Sequence, residues 1–221
     1  MNEYHSENGR IHLFNMDCME YMAQFPDNYF ELAIVDPPYG IDINMNQGRR
    51  KEDVKKHDKK DWDAFAPDVD YWNELVRVSS YQIIWGANNF EWIPPHNGWI
   101  VWDKDITGDV PFSKAELAYC SKIGAVDMVR IRAQSGCEVY SNKIHPTQKP
   151  VKLYEWLLKN YAKDGDKILD THLGSASSAI AAHRMGFEFF GTELDGDYFA
   201  ASIERFERET AQLDMFAEVA E

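Results

Sequence analysis

Cysteine is scarce in this chain, with three among 221 residues, at positions 18, 120 and 137. An odd number at wide spacing excludes a disulfide framework and any CxxC metal site, and fits a reducing cytoplasm. No apolar run approaches the roughly 18–20 residues that a membrane span needs. The opening segment MNEYHSENGR lacks the apolar stretch of a secretory leader. The seven histidines form no HExxH or HxxxH pair, so no metal is expected. Basic residues are outnumbered, 23 against 37 acidic, and the net charge of −14 argues against indiscriminate binding to nucleic acid. What the chain does have is 44% hydrophobic and 14% aromatic residues, too many for a disordered polymer and enough for one core at this length.

The average charge conceals patches. Residues 49–61 carry seven basic and four acidic side chains, residues 122–152 six and two, and residues 186–221 two and ten. A basic side and an acidic side result if the first two segments share a face. The segment 40–61 has no periodic pattern and is longer than an ordinary connection, as a functional lid or a solvated loop would be.

Apolar runs alternate with helical patterns. Strands are expected at 11–14, 32–35, 81–85, 99–102, 126–132, 167–169 and 187–191. Helices are expected at 18–24, from 67 to about 78, from 150 to about 161, at 176–185 and from 197 to about 209. Such alternation predicts an α/β fold with a mainly parallel sheet.

Three constellations carry chemistry. The run Ala33-Ile34-Val35 ends abruptly at Asp36-Pro37-Pro38-Tyr39-Gly40. In open α/β sheets, reactive groups sit beyond the carboxyl ends of strands. A carboxylate, a backbone carbonyl freed by proline and an aromatic ring, held rigid together, suit a planar base with an exocyclic amino group. Its hydrogens would go to Asp36 and the Pro37 carbonyl, and its ring would stack on Tyr39. The second constellation is strand 167–169, then Asp170-Thr171-His172-Leu173-Gly174-Ser175, then a helix. The helix N-terminus and the glycine suit a nucleotide-like cofactor. About twenty residues later Glu193 ends the next strand, where a ribose diol is gripped; Asp195 could instead cap the following helix. The third, His145-Pro146-Thr147-Gln148-Lys149-Pro150, is by itself a rigid entry into a helix.

Together these motifs resemble the S-adenosylmethionine-dependent amino-methyltransferases of DNA, in the permuted order that places DPPY before HPTxKP and DPFxGxG. The resemblance covers nearly the whole chain. It implies a Rossmann-like methyltransferase fold, a mixed, mainly parallel seven-stranded sheet with helices on both faces. It also implies S-adenosylmethionine as cofactor and double-stranded DNA as substrate, with adenine N6 favoured by DPPY. Asp36, Pro37, Pro38 and Tyr39 become the catalytic set. Asp17 and Cys18 fall beside the cofactor's adenine and Glu193 at its ribose. Asp170, His172, Gly174 and Ser175 fall at its methionine end, with Gln148 and Lys149 near the carboxylate. Three residues depart from the motif: Thr171 for Pro, His172 for Phe and Ala176 for the second Gly. Ala176 fits if its φ is negative.

On this reading residues 1–210 form one domain: a catalytic half (1–121), a short target-recognition segment (122–144) and a cofactor half (145–210). Contacts to DNA are expected from Arg49, Arg50, Lys51, Lys55, Lys56, Lys59 and Lys60, and from Lys122, Arg130, Arg132 and Lys143. The small recognition segment would leave one protomer with a weak grip and favour a homodimer. The tail, 211–221, contains Gln212-Leu213-Asp214-Met215-Phe216. It resembles the pentapeptide that docks bacterial proteins on the sliding clamp, with Gln212, Leu213, Met215 and Phe216 as anchors. The same residues could instead pack back on the last helix. Other readings keep the chemistry on cytosine N4, RNA adenine or a glutamine amide, or make the chain an inactive cofactor- or DNA-binding subunit. A nicotinamide oxidoreductase would share the α/β pattern but lacks the glycine-rich fingerprint.

Overall fold

Leu32 and Ile34 face one way along their strand, Ala33 and Val35 the other, and all four are buried. A strand covered on both faces belongs inside a parallel sheet between two helical layers. The computed structural model describes residues 2–40, 66–110, 113–133, 144–145 and 147–217, with side chains to residue 211. The sheet is nine-stranded, in the order β1-β2-β9-β8-β3-β4-β6-β5-β7. The strands are β1 (Glu3–His5), β2 (Ile11–Phe14), β3 (Phe30–Val35), β4 (Ser79–Trp85), β5 (Trp99–Asp103), β6 (Ala115–Cys120), β7 (Val126–Arg130), β8 (Lys167–Asp170) and β9 (Glu188–Thr192). The helices are α1 (Cys18–Met22), α2 (Val69–Val78), α3 (Val151–Tyr161), α4 (Ser177–Met185) and α5 (Gly196–Ala217).

From β2 through β9, β8 and β3 to β4 every pairing is parallel, while β6 enters antiparallel between β4 and β5. One core cluster joins Leu32, Ile34 and Trp85 to α3, α4 and α5; the other joins Ala33, Val35 and Ile84 to Tyr21 of α1 and Tyr71 and Leu75 of α2. The expected α/β architecture is therefore present, with nine strands where seven were expected. The two unexpected strands are β1 and β6. The first is only three residues long. The second, Ala-Glu-Leu-Ala-Tyr-Cys, is rich in residues that favour helix. Pairing with strands on both sides overrides that preference.

The last helix also departs from expectation. It continues past residue 209 to Ala217 and includes the backbone of 211–217, expected as a separate tail. Ala, Gln, Leu and Met are good helix formers, and no glycine or proline interrupts them.

The chain order reverses between β8 and β3: β9 follows β8 on one side, and β4 follows β3 on the other. A crevice opens at the carboxyl ends of strands at such a switch point.

Candidate active site

Four strands deliver the site. β2 is followed by Asn15-Met16-Asp17, β3 by Asp36, β8, which ends on Asp170, by Thr171-His172, and β9 by Glu193. Their ends surround a cavity of about 210 Å³. Asp17, Cys18, Asp36, Gln148, Lys149, His172, Gly174, Ser175 and Glu193 line it, together with Pro38, Met16, Tyr154 and Tyr198. The motif at 36–39 thus shares one cavity with two motifs more than a hundred residues further along the chain. Asp170 lies off the wall and supports it. Its carboxylate accepts the Ser178 hydroxyl at 2.6 Å and the His172 N–H at 3.0 Å. Burial raises the Asp170 carboxyl to about 7.

Each wall residue has a local reason for its place. Asp17 caps α1, accepting from the N–H groups of Met19 and Glu20 at 2.8 and 3.1 Å. Burial and the neighbouring Asp17 push the Cys18 thiol up to about 12, so Cys18 contributes shape and not a thiolate. Glu193 accepts the Gly174 N–H and the Asp195 N–H, each at 2.9 Å, and so ties the end of β9 to the loop after β8. Burial raises its carboxyl above the ordinary value. Asp195 accepts from Asp197 N–H and Tyr198 N–H at 2.9 and 3.0 Å. That is a cap on α5, and of Glu193 and Asp195 it is Glu193 that lines the cavity.

His172 is neutral across the physiological range, its imidazole lowered by burial to about 4. Tyr71 and Thr171 lie 2.6 Å apart through their hydroxyls, and Thr171 lies 2.9 Å from His172 Nδ1. The proline of the family pattern could not form this chain, because Thr171 supplies its middle hydroxyl. Ala176 adopts φ +60° and ψ 21° in front of α4, opposite to the negative φ at which it would fit without strain. A side chain in that region costs about 1–2 kcal/mol. Its N–H donates to Leu173 O and its carbonyl accepts from Ile180, both at 3.0 Å, so two backbone bonds hold the strained turn.

Arg205 of α5, which no sequence motif signals, braces this loop from below. It is 2% exposed and donates to Ser175 O at 2.6 Å and Ser177 Oγ at 2.8 Å. Ser177 in turn donates to Lys149 O at 2.7 Å.

The catalytic candidates form a compact polar group. Tyr39 donates its hydroxyl to Asp36 Oδ1 at 2.7 Å, and its ring lies against Gly86. Gly86 has φ +66°, and a Cβ there would come within 2.1 Å of the ring. Lys149, expected near a cofactor carboxylate, lines the cavity and forms an ion pair with Asp36 Oδ2. Its Nζ also lies 3.3 Å from Glu116 Oε2 and 3.4 Å from the Tyr39 hydroxyl. Lys104 Nζ pairs with Glu116 Oε1 at 2.6 Å. Burial pushes the Asp36 carboxyl up, Lys149 opposes the rise and Glu116 adds to it. Burial works against the Lys149 ammonium, but Asp36 and Glu116 hold its pKa above the ordinary lysine value. Glu116 stays low despite burial, because Lys149 and Lys104 flank it. Sequence reasoning missed Glu116 and Lys104, since neither lies in a motif and β6 itself was not expected.

Three of the eleven expected DNA contacts lie among the described residues. Arg49, Arg50, Lys51, Lys55, Lys56, Lys59, Lys60 and Lys143 lie outside the described residues. Lys122 donates to Tyr161 O at 2.7 Å and sits 4.7 Å from the Tyr81 ring centre, so it completes the end of α3. Arg130 pairs with Asp103 at 2.8 Å on the edge strand, and Arg132 is exposed. Among the described residues no helix is long and apolar enough to cross a membrane.

Comparison with known proteins agrees with this geometry. YubD of Escherichia coli (strain K12), a protein provisionally named a methylase, is 28% identical over 206 residues, covering 86% of this chain and 87% of YubD. The type II methyltransferase M2.MboI of Moraxella bovis is 22% identical over 95% of this chain and 92% of its own. Among solved structures, the PvuII cytosine-N4-specific DNA methyltransferase has the same fold, with a TM-score of 0.57 at 16% identity over 90% of this chain and 89% of that one. The M1.HpyAVI–SAM complex also scores 0.57, at 17% identity over 87% and 97%. A family model described as DNA methylase, of the N6/N4 methyltransferase type, matches residues 82–204, from β4 into α5. With more than half of its length matched, this chain belongs to the N6/N4 DNA methylase family.

Proposed function

We propose that the chain transfers a methyl group from S-adenosylmethionine to the N6 amino group of an adenine flipped out of double-stranded DNA. The observation that carries this reading is the position of Asp36. Its carboxylate leaves the end of β3, lines the cavity and is held by Lys149 and Tyr39. The residues of the cavity fit the cofactor. Glu193 would offer a carboxylate to the ribose hydroxyls, Asp17 and Cys18 would hold the adenine, and Gly174 and Ser175 the methionine. When bound there, the cofactor supplies an electrophilic methyl on a positively charged sulfur.

The amino nitrogen of adenine is a poor nucleophile because its lone pair is delocalised into the ring. Asp36 accepts one amino hydrogen and the Pro37 carbonyl the other, which localises the pair toward the methyl. Asp36 binds and orients, and no strong base is needed for attack. Catalysis is then positioning and electrostatics. Flipping costs a few kcal/mol. Stacking on Tyr39 returns about 1–3 kcal/mol. The lysines and arginines between 49 and 60 would meet phosphates, giving affinity and not sequence choice. Pairing into a homodimer and retention by a sliding clamp through 212–216 complete the proposal.

Cytosine N4 is the second reading, favoured by the fold shared with the PvuII enzyme. One assay decides both. Purified protein is given labelled cofactor and duplexes containing adenine, cytosine or both, and the nucleosides are analysed by mass spectrometry. N6-methyladenine is expected from the wild type. Asp36→Ala should lose at least 10²–10³ in rate while retaining cofactor binding. Methylation of cytosine alone would select the second reading, and near-normal turnover of Asp36→Ala would refute both.

A further inference from the structure

Lys149 is surrounded by this chain's own side chains. Its side chain is 4% exposed. The ammonium has three hydrogens and three oxygens around it: Asp36 Oδ2, Glu116 Oε2 and the Tyr39 hydroxyl. Glu116 does not reach the cavity; it stands behind Lys149, on the strand that runs antiparallel beside β4. Its Oε2 is fully buried and makes no aligned hydrogen bond, so its contact with Lys149 is that of a counter-charge. Lys104, which follows β5, holds the other oxygen. The order is Asp36, Lys149, Glu116, Lys104, alternating in sign and neutral in sum.

We propose that Glu116 is a positioning residue for methyl transfer: with Lys104 it anchors the buried Lys149 ammonium, which aims the Asp36 carboxylate at the incoming amino group. This rests on the reading of Asp36 as the amino-group acceptor. The chain has a physical reason. A carboxylate at the mouth of a cavity can rotate about two side-chain bonds, and a lysine on a four-carbon stem is a poor anchor unless its far side is also tied. Glu116 ties that far side from a strand whose place in the sheet is fixed on both edges. Small errors in such an aim are costly, since a displacement of about 1 Å can lower a rate 10²-fold.

Glu116→Gln keeps shape and removes the charge. Expected is a fall in kcat of about tenfold or more, with cofactor affinity by calorimetry within twofold of wild type and an unchanged melting temperature within a few degrees. A pH signature separates this from general loosening. The groups facing Asp36 are Lys149, Glu116, Tyr39, Tyr71 of α2, Tyr154 of α3 and Asp170 of β8. Glu116 pushes the Asp36 carboxyl up and Lys149 pulls it down. The acidic limb of kcat/KM should therefore move to lower pH in Glu116→Gln and to higher pH in Lys149→Met. A purely structural defect would not move the two variants in opposite directions. If Lys149→Met fails to fold, Glu116→Gln and Lys104→Met carry the test, the second expected to lower kcat with cofactor affinity preserved. The proposal is overturned by an unchanged kcat in Glu116→Gln, or by loss of cofactor affinity equal to the loss of kcat/KM, which would assign Lys149 to the cofactor. Asp36→Ala, measured alongside, keeps the two levels apart: inactive Asp36→Ala with normal Glu116→Gln overturns this proposal alone, whereas active Asp36→Ala overturns the reading beneath it as well.

Discussion

Replacing Asp170 by Asn should change how the stability of the fold depends on pH. Asp170 is 1% exposed, and burial lifts its carboxyl to about 7 from the 3.8 of a free aspartate. Its native pKa thus lies above its unfolded pKa, so the native state binds the proton more tightly. Native stability is greatest where both states are protonated and falls as pH rises from about 4 to about 7, where the penalty is complete. Three units at 1.36 kcal/mol each give about 4 kcal/mol over the whole range, of which about 2 kcal/mol falls between pH 5.5 and pH 8.5. Asparagine does not ionise. It keeps one acceptor, for the His172 N–H, and Ser178 must rotate to accept from its amide, an offset of about 1 kcal/mol that pH does not change. The measurement is urea unfolding followed by tryptophan fluorescence for both proteins in the same buffers. Taking the difference removes most of the contribution from Asp36 and Glu193, which burial also raises. Relative to wild type, Asp170→Asn should gain about 2 kcal/mol between pH 5.5 and pH 8.5. A difference that stays flat across that range would refute the reasoning and mean that the two hydrogen bonds to Asp170 outweigh its burial.

Glu193→Ala should weaken cofactor binding by about 1.5–3 kcal/mol, read by titration calorimetry; unchanged affinity would move the ribose site elsewhere. Gly86→Ala places a methyl inside the Tyr39 ring at a positive φ and should cost about 2–4 kcal/mol by denaturant unfolding, with turnover falling as Tyr39 is displaced; a silent variant would show that the turn is soft. Phe216→Ala should abolish binding to the host's sliding clamp in fluorescence anisotropy, because the pentapeptide loses its terminal anchor; equal binding by variant and wild type, or none by either, would retire the clamp proposal.

Much of this architecture is legible without coordinates. The strand at 11–14 and the closing of α4 by Gly186 follow from local pattern and turn chemistry. So does the alternation of strands and helices that implies two helical layers. The motifs at 36–39, 145–150 and 170–178 carry chemistry that depends on residue type and spacing, and the meeting of the first and last in one cavity follows from the rule that strand ends meet at a switch point. Other features could not be read this way. Alanine by itself favours a negative φ, and only the loop's own bonds hold Ala176 at +60°. β6 has the composition of a helix and becomes a strand only because β4 and β5 offer it two open edges. That placement brings Glu116 to Lys149. The sequence by itself determined which strand ends carry the reactive groups, because hydrophobic period and proline turns are local properties. Only the tertiary structure decided what Lys149 touches, because a buried charge takes the partner that the sheet order sets beside it, whatever its distance along the chain.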